Sequence, residues 1–419
     1  FYINTVIGHF WHGIPGAYTK RMFGQHERPF LYRLIDMHAD HWHFDINGSW
    51  TDTRDDVDAE DAFGGGHAHA GLMIYQADKW PPEYRGDAYA LNFHGRRINR
   101  ERLHRKGGGY VAKHLPDLVK FPDRWFRGID LAQGPDGDVY VLDWSDTGEC
   151  HDHDGIHRES GRVYRIRYGD PTSGPGVPPK NFEEVTTWLR HPNAWYARRA
   201  RLMIQETHAL GELPAEWAEG LVSNYSTEKD PGLGIRYLHA SHAMDKEVSV
   251  FLEDEREALR IAILRLMRDK PLNLESLVEV AQSGSTRERL GIASLLPRLD
   301  SEELRFALAQ CLVAHGEDSG DHNYPLMTWY AIEPIVAQGE ERKIDRLLEA
   351  CKIDELRRFT FRRLAENYSE NRELLSRLLQ RHDKHAGIHL AGTSDALAGL
   401  SKVEPLPEWD AIRSLLPEP

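Results

Sequence analysis

The eleven residues Asp170 to Lys180, DPTSGPGVPPK, constrain this chain more than any other stretch. Their four prolines and two glycines remove backbone donors, fix φ at some positions and free it at others, so neither a helix nor a strand can run through them. The hydrophobic pattern changes across this break. Before it, short runs alternate polar and apolar residues between turn signals; after it, apolar residues recur with a helical period. The spacing therefore predicts a β-rich part over 1–170, a linker over 171–185 and an all-helical part over 186–419.

In the first part, Phe1 to Trp11, Gly71 to Tyr75, Asp87 to Asn92, Val139 to Trp144 and Val163 to Tyr168 read as strands of antiparallel sheet. Gly134-Pro135-Asp136-Gly137 has the composition of a tight turn, with proline fixing φ and the second glycine free to take φ > 0. Gly107-Gly108-Gly109 reads as a hairpin turn, because neither a Walker motif nor a dinucleotide fingerprint surrounds it. In the helical part, Leu259, Ala262, Ile263, Leu266 and Met267 form one apolar stripe, and Leu304, Ala307, Leu308, Cys311 and Leu312 form another. Ser285 with Glu288 and Asp300 with Glu303 have capping-box spacing, and Asp254 and Asp354 are candidate caps. Helix starts near 254, 300 and 340 recur about every 40 to 47 residues, the period of stacked helical pairs in HEAT-like solenoids.

The chain of 419 residues carries a net charge of −14 and a pI near 5.9. Nucleic acids and anionic membranes reward clustered Lys and Arg, so neither is an expected partner. No apolar run reaches the length of a membrane-spanning helix. Three cysteines, Cys150, Cys311 and Cys351, have no CxxC or CxxCH spacing, which leaves a disulfide framework and a c-type haem site without ligands. Cys311 and Cys351 fall on apolar stripes and read as packed thiols. The first residue is Phe1, and the N-terminus reads as the interior of a longer protein or the product of processing.

Fourteen of the 23 histidines precede residue 170, so candidate ligands concentrate there. His67 and His69 flank one residue ahead of a strand, and alternation would send both imidazoles to one side, toward a metal or a substrate. The segment DMHADHWHFD adds His38, His41 and His43 with Asp40 and Asp45. The densest set of ligand types is Asp143, Asp146, Glu149, Cys150, His151, Asp152, His153 and Asp154, a candidate site for a divalent cation such as calcium or, equally, an exposed loop of turn-capping acids. Thr51 to Asp61 lacks the glycine of a calcium loop and reads as a solvated acidic stretch. Trp329 and Tyr330 lie at helical spacing and read as core; His239, His242 and His322 read as ordinary helix-end residues.

Three successions, NTVIGHFWHGIPGAYTKRMFG, GGGHAHAGLMIYQADKWPPEYRGDAYALNFHGRRINR and WFRGIDLAQGPDGDVYVLDWSDTGECHDHD, together resemble the planctomycete-type membrane-bound dehydrogenases, and DHNYPLMTWYAIEPIVAQG resembles the repeat region of the same family. That resemblance implies a propeller like that of the glucose and sorbosone dehydrogenases, HEAT-like repeats, and a haem c domain that receives electrons. About 170 residues are too few for a closed propeller, so the expected fold is a partial β-propeller of antiparallel blades followed by an α-solenoid, an internal fragment of such a protein. The implied activity is oxidation of a sugar or alditol with pyrroloquinoline quinone in an extracytoplasmic compartment, the catalytic base lying upstream of Phe1. His94, Arg96, Arg97, Arg127 and Asp130 fall on or beside the family's cofactor-contacting motifs, with His94 where a lysine would stand and Trp125 in place of a first arginine. These substitutions open a second reading, a non-catalytic propeller–solenoid protein that binds glycan or protein partners.

Overall fold

The computed structural model describes residues 1–3, 10–21, 24, 26–41, 65, 68–147, 159–171, 176–242, 252–267 and 274–415. Among them are two small open antiparallel sheets followed by a helical region of fourteen α-helices. None of the helices is long and apolar enough to cross a membrane.

The first sheet has the order β1 (His69–Ile74), β2 (Ala88–Asn92), β3 (Arg97–Lys106) and β4 (Gly109–Lys120). The β3–β4 hairpin turns at Gly107, whose φ of +52° favours glycine, as the GGG signal predicts. The turn joining β2 to β3 is tighter. Asn92 Oδ1 accepts from Gly95 N at 2.8 Å, and a Cβ on Gly95 would lie 2.3 Å from Gly65 O. The second sheet has β5 (Gly128–Gln133), β6 (Val139–Asp143) and β7 (Arg162–Ile166). Its β5–β6 turn follows the GPDG signal: Gly137 has φ +77°, and Asp136 Oδ1 accepts from Asp138 N.

Alternation decides what each face of the first sheet buries. Tyr89, Leu91 and Ile98 pack with Met73, Tyr75, Phe126, Leu131, Val139 and Val141 in one apolar core. On the opposite face Ala88 meets Phe10, Ala39 and Ala112. That second face also carries Arg97, Asn99 and Glu101, at alternate positions of β3, all at most 1% exposed. Burying three polar side chains in a row is costly unless each is partnered.

Two compact units emerge: 1–13, 37–106 and 110–248 form the first, and 14–36, 107–109 and 249–419 the second. The division does not follow the Pro/Gly-rich break. The helices α1 (Phe182–Arg190), α2 (Ala194–Ala209), α3 (Ala215–Thr227) and α4 (Pro231–His242) belong to the first unit. The junction explains this: Asn193 caps α2 at Trp195 N, donates to the carbonyls of Gly134 and Pro135, and accepts from Gln133 of β5.

The second unit stacks its helices in two layers. α5 (Glu257–Leu266), α7 (Thr286–Leu295), α9 (Tyr324–Ala337), α11 (Asp354–Ala365) and α13 (Ala386–Leu397) contact one another in succession. α6 (Leu274–Ser283), α8 (Glu302–Val313) and α10 (Glu341–Ala350) do the same, and α12 (Tyr368–Arg381) joins α10 through Arg377 to Glu341 and Arg381 to Asp345. The chain ends in the short α14 (Trp409–Arg413). Ser285 and Glu288 form the expected capping box. Asp300 does not cap α8; Ser301 does, accepting from Leu304 N. Asp254 accepts from Arg256 N rather than from a helical amide, and Asp354 lies inside the first turn of α11, where its charge meets the helix dipole. Trp329 and Tyr330 are buried, donating to Phe30 O and Arg33 O of the 14–36 segment. Burial raises the pKa of both Cys311 and Cys351, as packed thiols require.

Candidate metal centre

The row Arg97, Asn99 and Glu101 is where the first sheet invests its polar groups. Glu101 sits opposite Ala88 in the β2–β3 register, with no larger neighbour on β2 to fill the space in front of it. A parallel bridge pairs Ala39 with Ala112, closed by Ala112 N to His38 O at 2.7 Å and Asp40 N to Ala112 O at 3.2 Å. Two residues further along both chains, this bridge sets His41 beside His114, the rings 5.5 Å apart.

Glu101 lies between them. Its Oε1 is 3.1 Å from His114 Nδ1 and its Oε2 is 3.4 Å from His41 Nε2, and the ligand atoms of all three lie within 4.8 Å of one another. The side chains are 7%, 11% and 1% exposed for His41, His114 and Glu101. The far nitrogen of each imidazole also meets a carboxylate: His41 Nδ1 is 3.0 Å from Asp40 Oδ1, and His114 Nε2 is 3.8 Å from Asp117 Oδ1. Asp117 in turn accepts from Asn99 Nδ2 at 2.7 Å and from Arg97 Nη1 at 2.9 Å, Asn99 Oδ1 lies 3.1 Å from His69 Nε2, and Arg97 Nε donates to Gly95 O.

The electrostatics follow from this enclosure. Burial disfavours a charged His41, but the bonds to Glu101 and Asp40 and their negative charge outweigh it, and the pKa is raised. Burial also raises the pKa of Asp117, against the bonds from Asn99 and Arg97. Two imidazoles and one carboxylate, with a second carboxylate near each imidazole, are a donor set that could hold a metal ion in a two-histidine, one-carboxylate arrangement. Three donors about 2.1 Å from a shared ion would stand about 3 Å apart, close to the 3.1 Å and 3.4 Å between Glu101 and the two imidazoles. An ion held by these three donors would keep positions for water or a ligand.

Of the residues singled out in the sequence, His41, Asp40, Arg97 and His69 lie in this network. His38 does not join His41: its Nδ1 accepts from His12 N at 3.1 Å. Arg127 serves backbone, donating to the carbonyls of Arg124, Phe126 and Thr147, with its guanidinium over Phe93. Arg96 occupies the β2–β3 turn at φ +50°, and His94 beside it is buried against Phe93. Asp130 is exposed and accepts from Leu131 N. Asp143 is occupied: it takes hydrogen bonds from Arg127 N, Ser145 N and Arg162 Nε, and the half-buried Asp146 donates its amide to Trp125 O. His67, His43, Glu149, Cys150, His151, Asp152, His153, Asp154 and the 51–61 loop lie outside the described residues.

Glu101 and His114 drew no attention in the sequence. The signal available was polar alternation at Arg97, Asn99 and Glu101 within a strand that ends in a glycine hairpin, which places His114 on the returning strand.

Residues 33–170 match a family described as a domain of unknown function (DUF7133), and the match includes His41, Glu101 and His114. No curated protein and no solved structure matches the chain.

Proposed function

We propose that the first unit is a divalent-metal module in which His41, Glu101 and His114 hold one transition-metal ion, and that the protein binds or converts a polyhydroxylated ligand at the ion's open positions. The observation that carries this reading is the buried Glu101 carboxylate between His41 and His114, with a carboxylate near the far nitrogen of each ring, Asp40 at 3.0 Å and Asp117 at 3.8 Å, as around metal-bound histidines. Imidazole donors favour zinc, iron, nickel or copper over calcium. The ion would polarise a coordinated hydroxyl or water; Glu101 and the two imidazoles would orient it, and the Arg97–Asp117 pair would hold His114 in place.

A sugar or alditol, the ligand class implied by the family resemblance, presents adjacent hydroxyls that suit such an ion. In this reading the two sheets are blades of a partial propeller and the second unit is a HEAT-like solenoid, as in the extracytoplasmic proteins the chain resembles. A quinone cofactor with three carboxylates needs cations free to meet it; Arg97 and Arg127 have internal partners, which is why the metal reading is preferred to the quinone one.

The test is metal titration of the chelator-stripped chain by calorimetry with zinc, manganese, ferrous iron and calcium. One equivalent of a transition metal should bind. His114→Ala and Glu101→Gln should each weaken it at least about tenfold, while His104→Ala, an exposed β3 histidine, should not. Absence of stoichiometric binding in the unaltered chain, or equal affinity in His114→Ala, would retire the proposal.

A further inference from the structure

A second cluster in the first unit has the opposite character: among the described residues it gathers positive charge without carboxylates. α2 packs on α4. Arg198 and Arg201, three residues apart, share a face of α2, and Arg236 and His239 share a face of α4. Arg201 Nη1 lies 2.8 Å from His239 Nδ1, and since guanidinium has only donors, that imidazole nitrogen accepts. The Nε of Arg201 is buried and has no partner among the described residues.

Part of the cluster has a structural explanation. Arg236 Nη1 donates to Leu189 O and His191 O and Arg85 Nη2 to Pro192 O, so both serve the negative C-terminal end of α1. Arg198 and Arg201 have no such duty. Among the described residues no carboxylate pairs with Arg198, Arg201 or Arg236; the acid that acts on Arg236, Asp230, is spent capping α4 at Leu233 N. Burial lowers the pKa of all three arginines, and Arg201 is lowered further by the charges of Arg198 and Arg236. In a chain with 66 acidic and 52 basic residues, guanidinia on two packed helices that meet no carboxylate among the described residues, one of them with a buried Nε that has no partner there, suit an anion.

We infer that Arg198, Arg201 and Arg236 form a binding site for a tetrahedral oxyanion group, a sulfate or phosphate ester. Forked guanidinium donors from two helices match the several oxygens of such a group, and His239 orients Arg201 by accepting from its Nη1. The site is independent of the metal centre, and its failure would leave that reading untouched.

The experiment is thermal unfolding with parallel calorimetry of the full chain at fixed ionic strength, with chloride as reference and with inorganic sulfate, inorganic phosphate, glucose 6-sulfate or glucose 6-phosphate added. A saturable rise in Tm above the chloride reference is expected. Esters binding more tightly than the inorganic ions would identify an organic ligand; equal affinity would identify the free anion. Arg201→Gln should weaken binding about tenfold or more while leaving the anion-free Tm equal or higher, because it relieves repulsion. A purely structural arginine would instead lower the Tm with no anion dependence. Arg198→Gln, an exposed position, repeats the test should Arg201→Gln fail to fold. Equal rises in chloride and oxyanion, or an undiminished rise in the Arg198→Gln/Arg201→Gln double variant, would overturn the assignment.

Discussion

Both units bury histidine, and they bury it in opposite ways. In the first, His41 and His114 each have a carboxylate at both ring nitrogens. In the second, His389 of α13 is fully enclosed, neither ring nitrogen has a partner among the described residues, and the ring stacks on Phe361 at 4.1 Å. The consequences diverge in sign. The carboxylates raise the pKa of His41, whereas burial, reinforced by the charge of Arg357 and its histidine neighbours, lowers that of His389 to about 3. A histidine set among carboxylates is arranged to hold a proton or a metal; one set against an aromatic ring is a neutral plate in a hydrophobic layer. Enclosure alone therefore says little about function, and what the ring nitrogens meet says much.

The contrast can be broken most forcefully at its polar end. Asp117→Ala would take from the buried Arg97 guanidinium the carboxylate that its Nη1 meets and should cost about 3–5 kcal/mol of stability by urea unfolding, while the double change Arg97→Met/Asp117→Leu should recover most of it. Equal stability of Asp117→Ala and the parent would mean that the pair carries no structural load.

Acid should break it from the other side. The folded pKa of His389 lies below its ordinary value of 6.5, so the neutral ring's contribution is complete above that pH and is lost as the pH falls toward 3. Between pH 7 and pH 5 the loss should reach about 2 kcal/mol. His389→Phe, which keeps the stack on Phe361, should stay within about 1.5 kcal/mol of the parent at pH 7 and abolish that portion of the acid loss. Identical pH profiles for the two proteins would sink the assignment.

Metal should sharpen the comparison further, since it can act only where carboxylates back the imidazoles. Zinc at about ten times its Kd should stabilise the parent by roughly 1.4 kcal/mol and His389→Phe by the same amount, but not His114→Ala. The smallest effect is expected on the second sheet, whose outer face shows Leu142 and Val163 at 42% and 67% exposure in register with one another. Replacing either by threonine should change stability by no more than about 0.5 kcal/mol, measured by the same unfolding assay.

Much of this architecture was legible because its signals are local. Asn181, just after the proline run, caps α1 through Glu184 N; the GPDG turn and the Ser285–Glu288 capping box lie where composition puts them. The longest strands, β3 and β4, were not read, because Arg97–Lys106 is too charged to look like a strand until its alternate residues are seen to be buried. The placement of α1 to α4 with the sheets was equally hidden, since it rests on Asn193 reaching across to the β5–β6 turn. The candidate site was half visible. His41 stood out in a histidine-rich run, and Asp40 with it, but Glu101 and His114 carry no motif.

Sequence by itself determined which part of the chain is β-rich and which is helical, and where several turns and caps fall, since turn chemistry, caps and periodicity act over a few residues. Only the tertiary structure decided which polar residues meet. A parallel bridge between Ala39 and Ala112 and a hairpin that returns beside Glu101 bring together side chains from distant parts of the chain. Their chemistry depends on distances of about 3 Å, and no periodic pattern in the sequence encodes separations of that kind.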